Sequence, residues 1–458
     1  MELTLLDAAS SRIDEEIQAL CTQRALLRRR VNTLRDKSFK LPPETLTAIF
    51  ECAICENVHS PLHLGAVCSR WRRVVWESPS LWSSIFLSPK QSGVGKLLSL
   101  HLENSKGLSV SIHLPTKHDF LTPIHPLLSL TRDVFTKCPA KTRVLNIGPI
   151  DNNIWSIVVS HSVYTGFPHL ETIKLTFGQD FDPVLEGRLF CRTPLLRSIE
   201  MTRPLPGIGH CLPLHKLTSL SLQKLSPPYS LYFLSQCPNL VEFHSQDPLP
   251  YVSTSELSFT LEASVTLHNL RSLRWEGDIP LSATFITDIH LPSIQEVFWQ
   301  GHLDTATRHS WQPFFSVMER MNTLDCSYTA GIVDLLGSIP SVENIHVRFD
   351  HLFDQLEEVA ELMSHLDWEK NVGILPHLTQ LSLTLEEKDR VMSKEILPFE
   401  DTLIQMVRSR SSVDRSSACA LHRLSLTIDV LVVWGTWYRH LAEEMSQLSD
   451  ESFVVTVT

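Results

Sequence analysis

Residues 41–86 run LPPETLTAIFECAICENVHSPLHLGAVCSRWRRVVWESPSLWSSIF, and the reading of this stretch decides the N-terminal fold. Leu41-Pro42-Pro43 predicts an extended entry, because each proline locks its own φ and turns the preceding residue out of the α region. Pro43, at the first helical turn, costs no hydrogen bond. Beyond it Leu46, Ile49, Phe50 and Ile54 recur at helical spacing and predict one apolar stripe. Leu64, Val67, Cys68, Trp71 and Val75 predict a second. Ser78-Pro79-Ser80 is a turn signal, and Leu81-Trp82 opens a third segment ending at Ile85-Phe86.

A unit this small encloses only part of its apolar surface and needs a staple or a partner. Cys52, Cys55, His59 and His63 read C-x-x-C-x3-H-x3-H, which raises zinc as the staple. Zinc fingers leave a dozen or so residues between the Cys pair and the His pair, and three cannot make that turn on a continuing helix. No metal and no cofactor is therefore expected, and Cys52 and Cys55 read as small apolar helix residues. The missing half of the core is expected to be another protein.

The run LPPE-x-L-x-x-IF, the VC-x-x-W-R core and the closing LW resemble an F-box, in the form common in large fungal families. The resemblance covers about a tenth of the chain. It implies docking on the Skp-type adaptor of an SCF ubiquitin ligase, and through it on a cullin. Carried over position by position, it puts adaptor contacts on Leu41, Pro42, Leu46, Ile49, Phe50, Val67, Cys68, Trp71 and Trp82. Val67 and Trp71 could instead hold the helices together. The polar insert Glu56-Asn57-Val58-His59-Ser60 departs from the pattern and predicts a long turn between the first two helices.

Composition narrows the rest. A chain of 458 residues with 43 % hydrophobic and 20 % charged residues is an ordinary folded protein of two or three domains, or one long solenoid. Its formal net charge of −11 offers no basic footprint and argues against nucleic acid as the partner. No apolar run has the roughly 18–20 residues of a membrane span, so no membrane partner is expected. Ten scattered cysteines and an acidic N-terminus point to reduced thiols in cytoplasm or nucleus.

Residues 1–38 predict an amphipathic helix. Ile13, Ile17, Leu20, Leu27, Val31 and Leu34 follow a 4-3 spacing, broken at Arg24, which is a short coiled-coil seam or a face packed on the protein's own body; the second reading is preferred. Residues 39–88 are the F-box-like segment. Ser88–Gly95 reads as a linker, Lys96–Glu103 as a short helix and Leu108–Leu114 as a strand. Ser92-Gly-Val-Gly-Lys96 is no phosphate loop, since Lys90 stands where the first glycine belongs and Leu97 replaces the hydroxyl residue.

Residues 89–458 repeat the unit L-x-x-L-x-L, as in PHLETIKL (168–175), HKLTSLSL (215–222), HNLRSLRW (268–275), PSVENIHV (340–347) and PHLTQLSL (376–383). Most repeats start 21–30 residues apart, close to a leucine-rich repeat that contributes one strand per turn. Longer spacings near the C-terminus imply insertions, among them the charged, serine-rich stretch 386–418, and Ile428–Trp437 reads as a core strand. The usual turn asparagine is largely missing, so the repeats are irregular. The expected fold class is α/β: an all-helical F-box with its preceding helix, then an irregular leucine-rich-repeat-like solenoid.

In such strands the leucines face inward, while Lys174, Glu200, Ser221, His244, Arg274, Phe298, Asp325, His346, Ser382 and Ser425 face solvent. Arg274, Phe298 and His346 are the expected target contacts, because an aromatic or arginine anchor in a polar row is a typical hot spot. No H-E-x-x-H or G-x-S-x-G context gives the 21 histidines a catalytic role. The expected function is that of a non-catalytic receptor for an unidentified protein substrate. The alternative is a repeat scaffold uncoupled from ubiquitin transfer.

Overall fold

The structure is a computed structural model. It describes residues 2–35, 37–55, 60–88, 93–114, 124–162, 164–178, 181, 188–248, 264–277, 288–300, 312, 314–316, 318–328, 331–349, 356–371, 373–387, 397–411, 421–430, 441, 443–447 and 454–457. The chain divides into two compact units, one of Met1–Leu87 and Gly93–Ile112, the other taking in the chain from His113 onward.

The first unit is mainly helical: α1 (Glu2–Arg35), α2 (Pro43–Cys55), α3 (Pro61–Val67), α4 (Ser69–Glu77), a 3-10 turn at Pro79–Trp82, strand β1 (Ser84–Phe86), α5 (Val94–Asn104) and strand β2 (Val110–His113). Helix α1 is 34 residues of mostly good helix formers without an internal glycine or proline. Its seam does not pack on the body: Ile13, Ile17, Leu20, Leu27 and Val31 are 45–63 % exposed. That corrects the preferred expectation. The physical reason is the width of the stripe, two apolar positions per heptad and one of them Arg24, narrower than the face a core-facing helix presents. The Leu34 side chain and the polar insert at 56–59 lie outside the described residues.

Ser60 caps α3, and its hydroxyl accepts from the His63 N–H. Cys68 caps α4, its sulfur accepting from the Trp71 N–H. Strand β1 lies beside β2, with the Ser111 N–H donating to the Ser83 carbonyl at 2.8 Å.

The second unit is dominated by a parallel sheet whose strands follow one another in chain order: β3 (Thr142–Ile150), β4 (Thr172–Phe177), β5 (Ser198–Thr202), β6 (Ser219–Gln223), β7 (Glu242–Gln246), then, past the short β8 (Val265–Thr266), β9 (Ser272–Glu276). Past a second short strand, β10 (Ile289–His290), it continues with β11 (Glu296–Gln300), β12 (Thr323–Ser327), β13 (Asn344–Phe349), β14 (Gln380–Glu387), β15 (Arg423–Val430) and β16 (Val454–Val457). Strands β8 and β10 pair with each other instead. The strand expected at Ile428–Trp437 begins earlier, in β15, and residues 431–440 lie outside the described ones.

Register follows the repeat. Ile173, Ile199, Leu220, Phe243, Leu273, Val297, Leu324, Ile345, Leu381 and Leu424 are matched strand to strand, and all are buried. Trp275 and Trp299, two residues further along their strands, stack 5.9 Å apart with nearly parallel rings. Each strand entry is held alike: the Val241 carbonyl takes the N–H groups of Arg271 and Ser272, that of Arg271 those of Gln295 and Glu296, and that of Gln295 those of Asn322 and Thr323. Asn239 and Asn269 add side-chain bonds to the carbonyls of His215 and Pro238 in the preceding repeats.

The charged, serine-rich insertion contains a helix at Leu397–Ser411. At its end Arg410 is fully buried and donates to the carbonyls of Leu366 (2.6 Å), Ile374 (2.9 Å) and Leu375 (3.3 Å).

Candidate functional site

Two surfaces are candidates, one on each unit. In the helical unit Leu46, Phe50, Ile54, Leu64, Val74, Val75, Leu81 and Trp82 form one buried cluster, with Leu41, Trp71, Phe86 and Leu100 packed against it. The Phe50 and Trp71 rings lie 4.8 Å apart, as do those of Trp76 and Trp82. Polar atoms in and around this core are answered locally. The Trp82 indole donates to the Val75 carbonyl at 2.8 Å, and His101 Nδ1 lies 3.1 Å from the Trp82 carbonyl. The Trp71 indole donates to the Ser38 hydroxyl at 2.9 Å. Arg70 reaches the carbonyls of Ser38 and Leu41, tying the proline-led entry to α4. Burial under Trp82 pushes the His101 pKa below its ordinary value, opposed by that carbonyl contact.

The nine residues expected to contact an adaptor separate in this geometry. Leu46, Phe50 and Trp82 are 0–1 % exposed and lie inside the cluster. Their stripe is the inner face, because three short helices must first bury one another. Leu41, Cys68 and Trp71 are half-buried, Cys68 serving as a helix cap. Pro42, Ile49 (48 %) and Val67 (59 %) are exposed. The structure adds Leu62 (41 %) and Trp76 (39 %) to the outward apolar set. Neither was singled out, yet Leu62 precedes the exposed Ala66 by four residues, the spacing of one helix face. Of the C-x-x-C-x3-H-x3-H run, Cys52 is an exposed free thiol and His59 lies outside the described residues.

The second surface is the outward face of the parallel sheet. Lys174, Glu200, Ser221, His244, Arg274, Phe298, Asp325, His346, Ser382 and Ser425 occupy one register row across ten neighbouring strands. Phe298 sits between two guanidinium groups, Arg274 at 4.2 Å and Arg348 at 4.4 Å from the ring centroid. Arg348 pairs with Asp325 at 3.0 Å, and His346 bridges Asp325 (3.1 Å) and Thr384 (2.9 Å). Arg274 pairs with Glu276, which also lies 3.4 Å from His244. The three expected target contacts therefore share one face, with Phe298 next to Arg274 and one strand separating it from His346. Arg348, one residue pair further along its strand, was not anticipated. Its signal was available in the period-2 alternation that places it beside His346 on the same face.

Among the described residues no group of acidic, histidine and cysteine side chains could hold a metal ion, and no helix is long and apolar enough to cross a membrane. Cys138 and Cys237 are buried free thiols whose pKa burial pushes up to about 12. No curated protein matches the sequence. A family model described as F-box-like matches residues 39–88, the segment whose helices build the cluster around Phe50 and Trp82, so the chain carries an F-box-like domain near its N-terminus.

Proposed function

We propose that this protein is the substrate-recognition subunit of an SCF-type ubiquitin ligase. The F-box-like domain docks on a Skp-type adaptor, the adaptor joins a cullin, and the row around Phe298 holds a target protein. The observation that carries the reading is the F-box-like match at 39–88 together with apolar side chains left outside a small core, at Ile49, Leu62, Val67 and Trp76. A single apolar residue on a surface is unremarkable; four on short consecutive helices of a docking domain are anchors in waiting.

The second unit is a leucine-rich-repeat-like solenoid in this reading. Parallel sheets ordinarily have both faces covered. Here the strands alternate a buried residue with a partly exposed one, so a single face is covered, as in coils stacked into a repeat array. The chain performs no bond chemistry itself. It contributes proximity, raising the effective concentration of a target lysine near the transferring enzyme. The buried free thiols suit a reducing compartment, cytoplasm or nucleus.

Reconstitution tests the proposal. The full chain, mixed with purified Skp-type adaptor and a cullin, should elute as one complex on size exclusion. A folded chain that elutes apart from the adaptor at micromolar concentrations would overturn it.

A further inference from the structure

The seam of α1 has a partner whose charge pattern is written into the same helix. Leu6, Ile13, Ile17, Leu20, Leu27 and Val31 stand 45–64 % exposed along 34 helical residues, about 50 Å. In heptad terms Leu6, Ile13, Leu20 and Leu27 are d positions, and Ser10, Ile17, Arg24 and Val31 are a positions. The flanks are polarised. Asp7, Asp14 and Glu16 lie in the first half, Arg28 and Arg30 in the second, and Arg24 breaks the seam itself.

We propose that α1 pairs with α1 of a second copy as an antiparallel coiled coil. A parallel pair in register would set Arg24 against Arg24, acidic flank against acidic flank and basic against basic, and like charges across a seam oppose association. Reversing one helix removes all three conflicts. Leu6 then lies level with Val31 of the partner subunit, Ser10 with Leu27 of the partner subunit and Ile17 with Leu20 of the partner subunit. Arg24 lies over Ile13 of the partner subunit, where its alkyl stem covers an apolar side chain and its head reaches the neighbouring Asp14 of the partner subunit. Asp7 and Asp14 flank Arg28 of the partner subunit, and the same contacts recur by symmetry. The charged seam residue thereby specifies orientation, as polar a positions do. The result is a receptor with two target-binding rows and two docking domains, linked through a segment that precedes both.

The test is sedimentation equilibrium of the full chain over a concentration series. Wild type should be a dimer that Ile17→Glu/Leu20→Glu converts to a monomer whose body still melts cooperatively, because neither side chain belongs to its buried core. Asp7→Arg and Arg28→Glu/Arg30→Glu should each raise the dissociation constant roughly tenfold or more, and combining them should recover much of the loss. A monomeric wild type, or a dimer that survives Ile17→Glu/Leu20→Glu, overturns the proposal. So does tighter association of Arg28→Glu/Arg30→Glu, because relief of basic-on-basic repulsion is the mark of a parallel pair.

Discussion

Leu273 and Arg274 are neighbours in sequence and opposites in the sheet, so their alanine variants test the assignment of faces directly. Leu273 is fully buried in β9, matched to Phe243 on one side and Val297 on the other. Removing its side chain leaves a cavity between two strands and should cost about 2–5 kcal/mol. The Arg274 side chain is 51 % exposed, and its pairing with Glu276 is screened by solvent. Its removal should cost less than about 1 kcal/mol. Phe298→Ala falls between, because it loses two guanidinium contacts, each worth about 0.5–1 kcal/mol, and part of a ring's burial. Urea unfolding followed by tryptophan fluorescence is the assay, since the stacked Trp275 and Trp299 lie in the strands concerned. Comparing midpoints at constant slope isolates stability. A severe loss for Arg274→Ala beside a mild one for Leu273→Ala would refute the face assignment, and with it the placement of the proposed target-binding row.

Two further outcomes are expected. Arg410→Met keeps the volume of a buried side chain but strands the carbonyls of Leu366, Ile374 and Leu375; after relief of the buried charge it should destabilise by about 2–4 kcal/mol, read as faster hydrogen exchange at residues 366–375. His101 is held below its ordinary pKa of 6.5 chiefly by burial, so the unfolded chain binds its proton first. Its stability contribution is complete above pH 6.5 and is lost as pH falls toward the folded pKa. The melting advantage of wild type over His101→Leu should therefore shrink in acid, and a pH-independent difference would contradict it.

The strands of the second unit could be read from the chain because period 2 and an apolar pair per repeat leave one register in which leucine meets leucine. The row from Lys174 to Ser425 follows from that periodicity alone. Orientation within the helical domain could not be read in the same way. A docking face and an inner face are both apolar at helical spacing, so Ile49 and Phe50 look alike until the helices are packed. Arg410 was hidden for the opposite reason. An arginine in a charged, serine-rich stretch reads as solvated, and only the loop at 366–375 supplies the carbonyls that admit it to the interior. Exposure of the α1 seam likewise depends on what the rest of the chain leaves uncovered.

The central claim is that the outward residues of the F-box-like domain, rather than its buried ones, grip a Skp-type adaptor. Calorimetric titration of the adaptor into the full chain measures this most directly, with Ile49→Asp/Val67→Asp compared against wild type. Both side chains are about half exposed, so the melt should not change, while affinity should fall roughly tenfold or more. Wild-type binding that survives both substitutions undiminished, in a protein of unchanged melting temperature, would contradict the account.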